Sequence, residues 1–363
     1  MNKTTYILGA GFSIEAGAPS QEKLVEKIFE IHNQYPHEFE SKAVETFKFF
    51  LSNCLNIPDE LQTKVPLEDI FTPIDRAILD NISFRDLSTA ELKNIRGVIY
   101  YLIGKTLQVI LRSSDKDYID KFANYIVSQC SSRANKEYRN QDKISILSTN
   151  WDILLDNSIK NILERNHIEP KGVVDYCCYI SSYREHDESI KPGLEILGSG
   201  GFNVKLLKLH GSLNWLQCPR CQRLYVDFHQ KISIDHYSTC RHCNRNFGEK
   251  KSHSLTSNLI MPTFLKDLSN PQYKLIWQNA GIELSESKNI VFIGYSLPFA
   301  DFEMRQLLSR MIRDDAKITV VDYGEEDWEN IKSMKLRYQT FFGNRPMEFH
   351  LKGTKDYIKN NIE

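Results

Sequence analysis

The apolar positions along the chain follow two periods. Short runs dominated by apolar, often β-branched residues occur at Tyr6–Leu8, Lys143–Ser148, Val204–Leu209, Asn289–Ile293 and Lys317–Val321. Runs this short and this apolar read as strands buried on both faces of a parallel sheet. Between the first run and the second the period becomes helical. Leu24, Ile28 and Ile31 recur about one turn apart behind Ser20, a candidate N-cap, and residues 36–143 read as mostly helical. There, Leu67-Glu68-Asp69-Ile70-Phe71 forms a short element after Pro66. Ser88 and Glu91 form a capping-box pattern ahead of an amphipathic helix carrying Leu92, Ile95, Ile99, Leu102, Ile103 and Ile110. Tyr118, Phe122, Ile126 and Cys130 continue the stripe on another helix. These stripes read as helix core, with no metal or catalytic spacing among them. Residues 185–201 read as loop, and a helix passes through Tyr273 and Trp277. The tail after 325 reads as a helix, an edge strand over Met347–Leu351 and a short helix. Strands alternating with helices predict an α/β protein: a Rossmann-like parallel sheet with a helical insertion.

Each predicted strand ends in a polar or glycine-rich segment. In open α/β sheets, ligands bind outside the carboxyl ends of the strands. The first run breaks into Gly9-Ala10-Gly11-Phe12-Ser13, then Gly17-Ala18-Pro19. Without Cβ atoms at Gly9 and Gly11, backbone N–H groups can approach a diphosphate, and a helix start behind them adds partial positive charge. A plain tight turn accounts for the same glycines. The second run ends in Thr149-Asn150-Trp151-Asp152, where Asn150 and Asp152 either line a ligand or cap a helix starting near Ile153. His210-Gly211 ends the third run; His210 is a catalyst or a satisfied structural histidine. Gly294-Tyr295-Ser296-Leu297-Pro298 and Asp322-Tyr323 end the last two. Asp322 can accept from ribose hydroxyls, or is a simple loop residue.

The most specific chemistry lies after the His-Gly pair. Cys218-Pro-Arg-Cys221 and Cys240-Arg-His-Cys243 stand 18 residues apart, the spacing of a four-thiolate zinc ribbon. Each knuckle presents two sulfurs to one tetrahedral ion, so a filled four-cysteine set leaves no open position and the zinc is structural. His242 lies inside a completed knuckle and is not expected to ligate. Cys54, Cys130, Cys177 and Cys178 read as ordinary thiols.

Composition narrows the setting. The chain has 363 residues, 41% hydrophobic and 26% charged, with a formal net charge of −1. That balance provides no electrostatic footprint for nucleic acid. No run reaches the roughly 20 apolar residues of a membrane span, and the amino-terminal run is too short for a signal peptide. A cytoplasmic chain with reduced thiols is the expectation, so eight cysteines call for a metal rather than disulfides.

The ordered set of Gly-Ala-Gly-x-Ser, Thr-Asn-x-Asp, His-Gly, four cysteines and Gly-Tyr-Ser resembles the sirtuins, the silent-information-regulator family of NAD-consuming enzymes. The resemblance covers residues 5–20 and 144–323. It implies that 1–35, 144–217 and 255–325 form a Rossmann-like NAD-binding core. Residues 36–143 are then a helical insertion, 218–254 a small zinc-ribbon module and 326–363 a C-terminal extension. By the same resemblance Gly9, Ala10, Gly11 and Ser13 cradle the phosphates of NAD+. Asn150 and Asp152, with Thr149 where the family has Gln, line the nicotinamide and ribose pocket. His210 is the catalytic base, Gly294 and Ser296 flank the other side, Asp322 lies near the adenosine end, and Cys218, Cys221, Cys240 and Cys243 bind Zn2+.

The departures from the family pattern carry information too. Protein-deacylating sirtuins follow Gly-x-Pro with Asp-Phe-Arg, where this chain has Ser20-Gln21-Glu22. Their Val-x-Phe-Gly-Glu strand, which pairs with an acyl-lysine peptide, is replaced by Leu259-Ile-Met-Pro262-Thr263, and proline weakens such pairing. The insertion and the Gly-Tyr-Ser-Leu-Pro turn look more like bacterial sirtuin-like effectors of anti-phage defence. That resemblance implies an NAD+ hydrolase (NADase) acting on NAD+ as substrate, homo-oligomer formation, and a HerA-type ATPase or other defence partner. The alternatives are an NAD-dependent lysine deacylase or ADP-ribosyltransferase, and a non-catalytic subunit binding NAD or ADP-ribose.

Overall fold

The computed structural model describes residues 3–40, 42–134, 142–165, 171–185, 189–191, 193–227, 239–248, 254–263 and 266–362. Parts of the cysteine module (228–238 and 249–253) and of the 185–201 stretch (186–188 and 192) lie outside the described residues. The strands are β1 (Thr4–Leu8), β2 (Ile144–Ser148), β3 (Gly172–Asp175), β4 (Ile180–Ser182), β5 (Phe202–Lys208), β6 (Gly211–Gln217), β7 (Leu224–Val226), β8 (Thr256–Leu259), β9 (Asn289–Ile293), β10 (Lys317–Val321) and β11 (Met347–His350).

Seven of them form one sheet in the order β11-β10-β9-β1-β2-β5-β3, with every neighbouring pair parallel. The chain winds outward from β1 through β2 to the β5–β3 flank, then returns to lay β9 against the other side of β1. The strand order therefore reverses between β1 and β9, the place where open α/β sheets form a crevice. Register brings the strand ends level. Leu8 pairs with both Ser148 and Ile293, Ser148 with Lys208, and Val321 with Ile293 and His350. All the strand-end motifs thus start from one edge.

The other four strands form a small sheet in the order β4-β7-β6-β8. β6 leaves the main sheet directly after His210 and runs to Cys218, so the two sheets are joined at the His-Gly pair. Periodicity does not expose β6, because its buried positions include Ser212 and Asn214. In the stretch read as loop, Gly193–Gly198 is a short helix that buries Ile196; one turn is too short to display a period.

The helices divide between two cores. Leu24–Gln34, Ala43–Phe49, Leu67–Asp80 and Thr89–Ile110 enclose Ile28, Phe47, Phe50, Phe71, Ile74 and Ile99 in a cluster of their own. The capping box at Ser88 and Glu91 forms, whereas Ser20 makes no side-chain cap bond and leads into a 3-10 turn. The Asp117–Ser131 helix instead covers the sheet, with Phe122 packed 5.1 Å from Tyr6 and 5.6 Å from Phe12 between ring centroids.

Candidate functional site

At the switch point the β1 and β9 loops cross in direct backbone contact. Gly9 N–H donates to Ile293 O at 3.0 Å and Gly11 N–H to Gly294 O at 2.9 Å. A Cβ on Gly11 would meet the Gly294 Cα at 2.5 Å, and one on Gly294 would meet the Gly11 carbonyl carbon at 2.2 Å. Gly294 also sits at φ +60°, in the left-handed region. The glycines at these positions therefore serve a loop-to-loop contact. Three of the four N–H groups expected to face a phosphate, those of Gly9, Gly11 and Ser13, are already engaged, and the helix behind them, Gly11–Ile14, is a single turn with little dipole to offer. Ala10, exposed on the loop, keeps an N–H with no partner among the described residues.

The β2 loop is tied to the same turn. Asn150, buried, donates its side-chain amide to Gly9 O at 2.9 Å and lies 3.5 Å from Ser13 Oγ. Ser13, also buried, donates to Asp152 Oδ2 at 2.9 Å, while Asp152 Oδ1 accepts from Leu154 N–H at 3.1 Å. Asp152 thus caps the Leu154–Arg165 helix and holds the glycine turn. Burial pushes its carboxyl above the ordinary range, against the pull of nearby Lys208. Thr149 extends the strand pairing, with N–H and Oγ1 both donating to Leu8 O at 3.0 and 3.2 Å.

His210 stands two residues past Lys208, as Asn150 stands two past Ser148, so the two occupy matching positions beyond adjacent strands. Gly211 after it lies at φ +76°, where a Cβ would meet Asn258 O at 2.5 Å. This contact seats the turn against β8 and accounts for the His-Gly pairing in the sequence. The imidazole is walled by Trp277, whose ring lies 6.4 Å away and whose Nε1 donates to Leu209 O at 3.1 Å. His210 Nε2 is buried without a hydrogen bond among the described residues, and lies 3.5 Å from Asp301 Oδ1. Asp301 is itself buried, accepts from Tyr295 at 2.7 Å on Oδ2, and pairs with Lys266. Burial alone would raise its carboxyl; His210 and Lys266 outweigh burial and hold it well below the usual range. The sequence reading did not find Asp301, Lys266, Tyr295 or Trp277. Asp301 had one usable signal: it closes the loop that begins at Gly294.

The remaining candidates make their hydrogen bonds elsewhere. Ser296 is exposed, and its carbonyl accepts from Arg337 at 3.0 Å. Asp322 accepts from the Tyr323 N–H at 2.8 Å, and burial raises its carboxyl above the ordinary range.

The four cysteines converge. The sulfurs of Cys218, Cys221, Cys240 and Cys243 all lie within 4.8 Å of one another, with Cys218–Cys243 at 3.7 Å and Cys221–Cys240 at 3.6 Å. Four thiolates on one ion at about 2.3 Å stand about 3.8 Å apart, so the set fits zinc. Three of the four are buried and a small cluster with Leu216, Tyr225 and Leu255 surrounds them. Beside this module a cavity of about 610 Å3 is bounded by Tyr179, Arg184, Lys191, Arg223, Arg241 and Gln272, against β4 and β7 rather than at the strand ends.

No family model matches the chain, and no curated protein sequence matches it. Among solved structures it is similar to a Sir2 homologue mutant in complex with ADP-ribose, at 10% identity and TM-score 0.46, over 99% of this chain and 90% of that one. It is similar to a Sir2 homologue–NAD complex at 11% identity and TM-score 0.44, over 99% and 91%. A Sir2 enzyme solved for its mechanism and regulation matches at 11% and 0.39, over 99% and 89%. Likeness at this level carries nothing about activity.

Proposed function

We propose that the protein hydrolyses NAD+ at the bond between nicotinamide and ribose. The observation that carries this reading is the level edge of the sheet: the glycine turn, Asn150 and His210 follow the ends of the neighbouring strands β1, β2 and β5, and the glycine turn borders the switch point between β1 and β9. In the reaction the C1′–N bond breaks and its electron pair returns to the pyridinium nitrogen, releasing neutral nicotinamide. Water bonds to C1′ and its proton passes to His210, leaving ADP-ribose. Because the leaving group is neutral, the cost lies in an oxocarbenium-like centre. The site's work is then to hold the diphosphate, shield the ribosyl face and place the water. His210 accepts the proton as general base, Asn150 orients ribose or water, and Asp152 keeps Ser13 and the glycine turn in place. Zinc on the four cysteines would hold the module at the end of β6 and take no part in the bond cleavage.

One feature favours hydrolysis over transfer to a peptide. A peptide substrate adds a strand to an open edge through backbone hydrogen bonds. Along β8 and beyond, the carbonyls of Asn258, Leu259 and Ile260 accept from Tyr273, Tyr100 and Trp151 at 3.2, 3.1 and 3.2 Å, and after Met261 comes Pro262, without an N–H. An NAD-depleting role in anti-phage defence, assembly into a homo-oligomer and a HerA-type ATPase partner belong to the same proposal, on the resemblance of the sequence.

The test is NAD turnover with product identification, with and without an acylated peptide. His210→Ala and Asn150→Ala should each lower turnover at least about a hundredfold, with circular dichroism unchanged. Near-normal turnover in both variants, or strict dependence on the peptide, overturns the reading.

A further inference from the structure

Asp301 is unusual among the buried acids of the described residues in facing a histidine ring nitrogen, His210 Nε2, that is buried without a hydrogen bond among those residues. Its two oxygens have different neighbours. Oδ2 takes the Tyr295 hydroxyl, and burial with the Asp301 charge pushes that hydroxyl well above its ordinary pKa, so it stays an O–H donor. Oδ1 faces both His210 Nε2, at 3.5 Å, and Lys266. Lys266, 3% exposed, also pairs with Glu303 Oε2 at 2.9 Å.

We propose that Asp301 is the positioning residue of His210: it selects the tautomer carrying the proton on Nε2, and Lys266 limits how strongly it holds the imidazolium. The inference rests on His210 serving as the base. An ionised carboxylate only accepts, so the ring nitrogen beside it is favoured as N–H and Nδ1 is left with the lone pair. When Nδ1 takes the proton from water or a ribose hydroxyl, Nε2 keeps its own and Asp301 remains ionised. The ring is then a cation beside a buried anion. At 3.5 Å in a low-dielectric setting the carboxylate attracts that cation. Lys266 on the same oxygen supplies the opposing charge. The charged and titratable groups that set His210 are therefore Asp301, Lys266, Glu303 through Lys266, and Tyr295, with the Trp277 ring confining the imidazole.

The test tracks the His210 imidazole by NMR across pH in the full-length protein, its Asp301→Asn and Lys266→Met variants, and Asp301→Glu. The titration midpoint should fall in Asp301→Asn, rise in Lys266→Met, and in Asp301→Glu return toward the parent value. In parallel, kcat for NAD cleavage should drop about a hundredfold in Asp301→Asn, with KM changed by less than about threefold. Opposed midpoint shifts support the pairing even if the parent protein consumes no NAD, an outcome that defeats the NADase reading alone. Coincident midpoints overturn it whether or not NAD is consumed. If Asp301→Asn does not fold, Lys266→Met decides the matter by the sign of its shift.

Discussion

The two edges of the seven-stranded sheet are built in opposite ways. At the amino edge the buried charges of the described residues are paired. Lys3, 1% exposed, pairs with Glu283 at 2.6 Å and Glu286 at 2.7 Å. Lys205 joins Glu283, at 2.6 Å, to Asp142, which also pairs with Arg133. Between these ion pairs Thr5 Oγ1 lies 2.8 Å from Ser145 Oγ and 2.6 Å from Ser287 Oγ. At the carboxyl edge the loops are pinned to one another, yet the buried His210 Nε2 has no hydrogen bond among the described residues and Asp301 is shared among Tyr295, Lys266 and His210. Strands in one register thus end in a closed network on one side and an open one on the other. The closed edge supports the fold, and the open edge leaves polar groups for a ligand.

The largest expected way to unbalance this contrast is to empty the zinc site proposed on the four cysteines. Among the described residues, the core of the module around the four cysteines has six buried residues, three of them cysteines. So small an apolar cluster cannot hold itself together, and a structural zinc site contributes on the order of 10 kcal/mol in isolated modules. Because β6 connects the module to His210, chelation or Cys218→Ser should loosen the carboxyl edge and spare the amino edge. Amide exchange should accelerate through 211–226 and 239–247 while 283–289 stays protected. Equal loss at both edges would show that the sheet does not insulate one from the other.

Next in size is the amino edge itself. Glu283 is buried between Lys3 and Lys205, so Glu283→Ala leaves buried Lys3 and half-buried Lys205 each short of a partner. Breaking a buried pair from one side costs about 3–5 kcal/mol. Burial opposes ionisation of Glu283, but the two lysines win and lower its pKa below the ordinary value. A depressed carboxyl contributes stability that is present above its unfolded pKa and is lost as pH falls through its folded one. Denaturation should therefore show the gap between parent and Glu283→Gln shrinking as pH drops below about 4. A pH-independent gap would mean that Glu283 is not ionised in the folded protein.

The carboxyl edge is legible in the sequence and the amino edge opaque, for physical reasons. A strand ending in glycine, asparagine or histidine advertises itself because those residues are rare inside apolar runs. The cysteine spacing is equally legible, since two knuckles need a fixed geometry. Lys3, Asp142 and Glu283 sit at element ends, where charges are ordinary, and only packing brings them together. Asp301 and Lys266 are hidden likewise: neither has a spacing relative to His210 that chemistry demands. The glycine turn shows itself, but not its use, because a missing Cβ signals close approach without saying of what. In this chain the approaching group is Gly294. Periodicity stops at the same point for Asp117–Ser131, where the stripe announces a buried face but not that the sheet covers it.

The smallest expected effects sharpen the comparison most, because they apply one kind of change to both edges. Thr5→Val removes a hydroxyl shared by Ser145 and Ser287 while keeping shape, and Tyr295→Phe removes the hydroxyl that Asp301 accepts. Each deletes a buried hydrogen bond, so each should cost about 1 kcal/mol, with the charged acceptor placing Tyr295→Phe at the upper end of about 1–3. Stability alone would not tell the edges apart. Activity should: Thr5→Val is expected to leave NAD turnover unchanged. Tyr295→Phe concentrates more charge on Asp301, raises the His210 midpoint and lowers turnover at neutral pH. Matched denaturation and turnover measurements on the two variants decide the point, and equal turnover in both would mean that Asp301 answers to the fold rather than to His210.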